Sequence, residues 1–387
     1  MTRSKRLHVS LSIHYTGIGF TSAAVALARH MPETFEPVLY LPQVHGALPP
    51  GINAVRPLPE FTPAFIAWRP SVVAWAKRRN EENLLRAIRR EGPGAVVWLW
   101  PGASTQLQRE LKAAGAIVIR EMINTHQGTA RRVLDAEYKR LGMPPTHGIT
   151  DAAQRREEEV LSLSDFVVSP SECVDASLLE WGIGEDRIIR STFGWSPEDF
   201  AGTSKAEIPG EGIKALFVGS VGIRKGVHLA LAAWDRAGVK GTFVVVGAVE
   251  PEGESLIAPY RGRDDISFAA FTRDLASLYR AADFMFFPSL EEGAPLVCYQ
   301  AGGCGLPIVT GPMGQGRLVE HGVTGFVADP HDEDALASYI RTLAENELLR
   351  KEMGQRIRER ALKLDFRSAA ADRARAFANK GLADGSA

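Results

Sequence analysis

The chain has 387 residues, 45% of them apolar and 24% charged, with a formal net charge of −1 at pH 7. At about 150 residues per domain this is too much chain for one ordinary core, so two domains are the starting expectation. The balanced charge excludes whole-chain attraction to nucleic acid or to an anionic membrane.

Three cysteines, Cys173, Cys298 and Cys304, show no C-x-x-C spacing, which implies neither a disulfide framework nor a zinc site. A reducing, cytoplasmic setting is expected. The N-terminus MTRSKRLHVSLSI runs from basic residues straight into a strand pattern, unlike a signal peptide. No apolar run is long enough to span a bilayer.

Taken in chain order, short β-branched runs alternate with longer helical patterns, the signature of parallel sheets covered on both faces. Strands are expected at Leu7–Ile13, Pro37–Leu41, Ala95–Trp100, Ala116–Met122, Asp165–Ser169 and Arg187–Ser191, with helices between them. The polar segment AGTSKAEIPGEG, residues 201–212, reads as a linker. The pattern then restarts, with strands at Lys214–Val218, Thr242–Val246, Asp265–Ala270, Phe284–Phe287 and Pro307–Thr310. The expected fold is α/β: two doubly wound domains, residues 1–200 and 213–365, facing a central cleft. A last helix, 366–380, is expected to pack back on the first domain, ahead of a frayed tail GLADGSA.

In open sheets of this kind ligands sit beyond the carboxyl ends of the strands, so the turns there are the candidate sites. The first, His14 to Gly19, offers Gly17 and Gly19 for close backbone approach. Ser22 stands where a G-x-G-x-x-G would have its third glycine, which argues against a nicotinamide dinucleotide. The second, VGSVGIRKG (218–226), sets Arg224 and Lys225 at the mouth of a helix, a place for a phosphate or diphosphate. The third, EEGAPLVCYQ (291–300), carries Pro295 in the first turn of a helix, so the N–H groups around Gly293, Ala294 and Leu296 meet the same diphosphate from a second side. Glu292 does not neutralise a phosphate, but a carboxylate accepts from sugar hydroxyls, and Gln300, two helical turns on, faces a second set of hydroxyls. The fourth turn places Asn124 and His126 toward the cleft, where they would hold a sugar or acceptor hydroxyl.

FVGSVGIRKGVHLALAAW together with LYRAADFMFFPSLEEGAPLVCYQAGGCGLPIVTGPMGQGRLVEHGVTGFVADP resembles the retaining glycosyltransferases of family 4, whose GT-B fold consists of two Rossmann-like domains. The resemblance implies a Lys-Gly pair on the nucleotide diphosphate, here Lys225 and Gly226. It also implies an E-x7-E motif at Glu292 and Gln300, the first position on the transferred sugar and the second on the nucleotide ribose. Two positions depart from the family. Ser220 stands where an arginine often follows the first glycine, with Arg224 expected to supply that charge, and Gln300 replaces the second glutamate.

The reaction so implied moves a sugar from a UDP- or GDP-type donor to a carbohydrate, glycolipid or small-molecule acceptor hydroxyl, with retention. It uses no cofactor and no metal, and Glu292, His126, Arg224 and Lys225 are the expected catalytic residues. Ser220 joins the donor set. The D-x-D at Asp332–Asp334 reads as a helix start. The competing expectation is a non-catalytic nucleotide-sugar-binding subunit that supports a partner enzyme.

One stretch bears on location. Residues 65–90 combine Trp68 and Trp75 with seven arginines and lysines, which would allow peripheral contact with an anionic inner-membrane face. The favoured expectation for it is an ordinary amphipathic helix whose tryptophans face the core.

Overall fold

A computed structural model describes residues 4–59 and 62–383. Residues 1–3, at the start of the first domain, and 384–387, in the tail, lie outside the described residues. In the first domain the strands are β1 (Lys5–Ser10), β2 (Phe35–Tyr40), β3 (Ala54–Val55), β4 (Val96–Leu99), β5 (Ile117–Glu121), β6 (Phe166–Ser169) and β7 (Ile188–Arg190). In the second they are β8 (Ile213–Val218), β9 (Gly241–Val246), β10 (Ile266–Ala269), β11 (Phe284–Phe287), β12 (Ile308–Thr310) and β13 (Gly325–Val327). The sheet orders are β3-β2-β1-β4-β5-β6-β7 and β10-β9-β8-β11-β12-β13. All described pairings are parallel, for example Val9 opposite Leu39 and Trp98. Both orders reverse beside the first strand of their domain, and that reversal opens a crevice at the carboxyl ends of the strands.

Parallel strands buried on both faces read as unbroken apolar runs. Val96–Leu99 and Phe284–Phe287 are fully buried along their length. One face of the first sheet packs Leu7, Val9 and Leu11 against Ala23, Ala24 and Leu27 of the helix Gly19–Arg29. The other face packs Val97 and Leu99 on Leu84 and Ile88 of the helix Pro70–Glu91. The apolar stripe of that helix is thus spent on the sheet. Trp68 and Trp75 are not part of it: they are 51% and 44% exposed, so the expectation that both face the core is corrected. Trp75 lies on the side of the helix away from Ala76, Leu84 and Ile88, and Trp68, ahead of the helix, stacks on the His45 ring at 4.3 Å.

The last helix, Phe366–Asn379, leaves the second domain and packs on the helix Gly19–Arg29 and on β7. Phe377 meets Phe35 and Trp98 edge-on. Beside it Arg373, fully buried, donates to the equally buried Glu121 at 2.8 Å, to Ser191 Oγ at 3.1 Å and to the Thr192 carbonyl at 2.9 Å. Its guanidinium also lies 4.9 Å from the Trp98 ring centroid.

The two domains touch along an apolar seam of Leu134 and Tyr138 against Ile223, Leu229 and Leu290. Polar ties flank the seam. Glu137 of the first domain accepts from Arg140 on its own helix, and from His228 at 2.5 Å and His331 at 2.7 Å across the interface. Burial pushes the Glu137 carboxyl up, but these hydrogen bonds outweigh it and hold the group below the usual carboxylate range. Arg317 reaches back to Asp175 at 3.1 Å and to the Ser191 carbonyl.

The sequence pattern predicts neither β3 nor β13. Each is only two or three residues long, β3 following Asn53 and β13 following Thr324 and opening on Gly325, so no alternation marks it.

Candidate functional site

A cavity of about 600 Å³ lies between the domains at the carboxyl ends of both sheets. The first domain lines it with Arg120, Glu121, Asn124, Gln127 and Glu157, and the second with Arg224, Glu250, Glu252 and Glu291.

The second-domain wall is set by the turn after β8. Gly226 has φ 69°, and a Cβ there would stand 2.1 Å from the Pro288 carbonyl, so only glycine lets this turn rest on the end of β11. The helix Val227–Ala237 starts at once, leaving its first N–H groups without intrahelical partners. Lys225, held between the two strand ends, pairs with Glu292 and lies 5.7 Å from the Phe287 ring centroid. Ser289 Oγ donates to the same Glu292 oxygen at 3.0 Å. Arg224 bonds the Glu291 carbonyl at 3.2 Å and lies 3.5 Å from the Glu291 carboxylate and 3.8 Å from that of Glu292. The second helix begins at Leu296, with Pro295 at its N-cap rather than inside its first turn.

The sequence alone gives Glu291 no role. Its carboxylate crosses to the first domain, where it accepts from Asn124 Nδ2, from Thr125 N–H at 3.0 Å and from Thr125 Oγ at 2.9 Å. Asn124 therefore does face the second domain, and its partner there is protein. The only local signal is the Glu-Glu doublet, because the partners are 166 and 167 positions away.

Other expected residues are placed differently. His126 is buried, stacks on Trp181 at 4.5 Å, and its Nδ1 accepts from Gly128 N–H as the N-cap of the helix Gln127–Arg140. Burial lowers its pKa. It does not line the cavity, so its reach to an acceptor is indirect, through the helix that it caps. Gln300 Oε1 takes the Tyr279 hydroxyl at 3.4 Å, behind the helix N-terminus. Ser220 Oγ is buried without a partner. Gly17 and Gly19 both have positive φ, 76° and 62°, and a Cβ on either would meet nothing within 4 Å, so conformation rather than crowding calls for glycine there. Ala294 and Gly293 are both buried, Gly293 against the Ile123 carbonyl of the first domain.

Gly293 yields a first expected result. A Cβ on it would lie 2.1 Å from the Ile123 carbonyl of the first domain. Gly293→Ala should therefore hold the cleft open, cost about 1–3 kcal/mol of stability and raise the radius of gyration in small-angle scattering. An unchanged radius would mean that the loops yield instead.

Two doubly wound domains around a phosphate-suited turn form a GT-B fold, and comparison with solved structures agrees. The structure matches sucrose-phosphate synthase from Thermosynechococcus elongatus with a TM-score of 0.73 at 16% identity, covering 98% of this chain and 100% of the other. It matches HepE of Anabaena in complex with UDP with a TM-score of 0.66 at 16% identity, covering 97% and 99%. The model of the family described as Glycosyl transferases group 1 matches residues 202–360, most of the second domain. Curated relatives include D-inositol 3-phosphate glycosyltransferase of Thermobispora bispora, 26% identical over 49% of this chain and 50% of the relative. Glycogen synthase of Mycobacterium tuberculosis is 28% identical over 52% and 51%. The chain thus spans about half the length of these curated relatives.

Proposed function

We propose that the protein transfers a sugar from a nucleoside diphosphate sugar to an acceptor hydroxyl, with retention at the anomeric carbon. The observation that carries this reading is Arg224 on the second-domain wall of the interdomain cavity, with Lys225 beside it in the turn that opens the helix Val227–Ala237. As the bond to the sugar breaks, charge builds on the departing diphosphate, and fixed cations and N–H groups stabilise it there. No metal step is part of the proposal.

Glu292 neutralises Lys225, so donor binding exchanges one anion for another and frees the Glu292 carboxylate for sugar hydroxyls. Asn124 and, through its helix, His126 position the sugar or acceptor. Closure around the cavity keeps water from the donor. A UDP-type donor, with GDP as the alternative, is favoured by the fold neighbours solved with UDP and with UDP-glucose.

A second reading, a nucleotide-sugar-binding subunit without turnover, is favoured by one observation: Gln300 is turned to Tyr279 and away from the cavity. Turnover decides between them. Incubation with UDP- and GDP-sugars and a panel of acceptors, followed by NMR, should show a product with the anomeric configuration of the donor. Binding of a donor without transfer or hydrolysis would establish the subunit reading, and an inverted product would refute retention.

We extend the proposal to a peripheral contact at a cytoplasmic membrane face. Among the described residues no helix is long and apolar enough to cross a membrane. Phe65, Trp68 and Trp75 are exposed, and Arg69 and Arg78 are exposed on the same segment. Interfacial tryptophans beside cations suit an anionic surface. The protein should float with phosphatidylglycerol vesicles at low salt, and the Trp68→Ala/Trp75→Ala variant should remain in the soluble fraction. Equal flotation of both would refute the contact.

A further inference from the structure

The cavity is richer in carboxylates than a site for a neutral acceptor requires. Glu157, Glu250, Glu252 and Glu291 line it against the two guanidinium groups of Arg120 and Arg224. On the donor side Arg224 is already engaged by Glu291, and the bound diphosphate would bring further negative charge to it. On the acceptor side Glu157 is largely buried, its side chain 13% exposed, and accepts from Gln127 N–H at 2.6 Å. Burial raises its pKa against the pull of that N–H and of Arg120. Glu252, also buried, accepts from the first domain's Tyr138 hydroxyl at 3.1 Å and Thr146 hydroxyl at 3.2 Å, and is hydrogen-bonded to the Glu250 side chain beside it.

A second, independent observation lies on the same wall. Glu121 is fully buried and lines the cavity; its Oε2 receives Trp98 and Arg373, while its Oε1 has no hydrogen-bond partner. A buried acceptor atom left without a donor is costly. A ligand that supplies N–H donors relieves it.

From this arrangement we infer that the acceptor is an amine-bearing polyol, an amino sugar or aminocyclitol, whose ammonium groups sit between Glu157 and the Glu250/Glu252 pair. The inference rests on the reading of this cleft as the transfer site and narrows its acceptor to a cationic class. A phosphorylated acceptor is the alternative that the test separates, because Arg120 on the same wall has a buried Nε without a hydrogen-bond partner among the described residues.

The test is calorimetric titration of the full chain, with and without saturating UDP, using 2-deoxystreptamine, myo-inositol and myo-inositol 1-phosphate as probes. The aminocyclitol should bind about tenfold or more tighter than neutral myo-inositol, as one charge-assisted contact allows. Glu157→Gln/Glu250→Gln should remove most of that preference, while Glu82→Gln on the exposed helix should leave it intact. Equal or tighter binding of either inositol, or no binding of the aminocyclitol, overturns the inference. The UDP titration is read separately: absence of UDP binding counts against the donor-site reading, and the order of the three polyols still decides the acceptor class.

Discussion

Lys225→Ala is expected to weaken nucleoside diphosphate binding by roughly ten- to a hundredfold, the equivalent of about 1.5–3 kcal/mol for a lost charge-assisted hydrogen bond in a partly desolvated site. Lys225 is 15% exposed on its side chain and its only described ion pair is with Glu292, itself 7% exposed. The substitution also leaves that carboxylate without its cation in the free protein, so a lower melting temperature should accompany the weaker binding. Arg224 is more exposed, at 33%, and spreads its charge over Glu291 and Glu292. Arg224→Ala should therefore cost less than Lys225→Ala in the same titration. A Lys225→Ala protein that binds as tightly as the parent would place the diphosphate elsewhere.

The largest effect on stability should come from Arg373→Ala, which is expected to lose about 3–5 kcal/mol because it strands a fully buried carboxylate. Glu121 would then retain only the Trp98 indole N–H at 2.8 Å. The pH dependence carries a sign. Burial pushes the Glu121 carboxyl up to about 7 even with Arg373 in place. A group with a raised folded-state pKa contributes stability below its unfolded value, and that contribution is lost as pH rises through the folded value. Without Arg373 the carboxyl rises further and protonates more readily, so the damage should be smaller at pH 5 than at pH 8 in chemical denaturation. Pairing Glu121→Leu with Arg373→Met should recover much of the loss, because the paired apolar replacement strands no charge. Equal destabilisation at both pH values would show that the helix Phe366–Asn379 is held by Phe377 and its packing rather than by the ion pair.

The parts of this molecule that are legible in the sequence are those with local causes. Runs such as Phe284–Phe287 announce a buried parallel strand, and the polar stretch 201–212 marks the break between sheets. The turn VGSVGIRKG is readable because glycines let the backbone turn tightly at a strand end. The return of the final helix follows from its place after the second domain's last element, although its anchor, Arg373 on Glu121, spans 252 positions and leaves no local trace.

Tertiary context decides the rest. The amphipathic pattern assigns Trp68 and Trp75 to the core, but Leu84 and Ile88 already fill the sheet face available to the helix that carries Trp75, and Trp68, ahead of that helix, stacks on His45. Its position after a strand points His126 toward the cleft. The ring instead caps a helix and stacks on Trp181, a partner far along the chain. Glu291 and Glu137 reach across the domain interface, and such contacts depend on how two sheets meet, which no local periodicity encodes.

The most direct test of the central claim is thermal unfolding of the parent and of Lys225→Ala against UDP, GDP and ADP. A bound ligand at about a hundred times its dissociation constant adds roughly 2.7 kcal/mol to the folded state, a shift of several degrees. One diphosphate is expected to stabilise the parent by that amount and Lys225→Ala far less. Stabilisation by none of the three, or equally of both proteins, would contradict a donor site built on Arg224, Lys225 and the two helix N-termini.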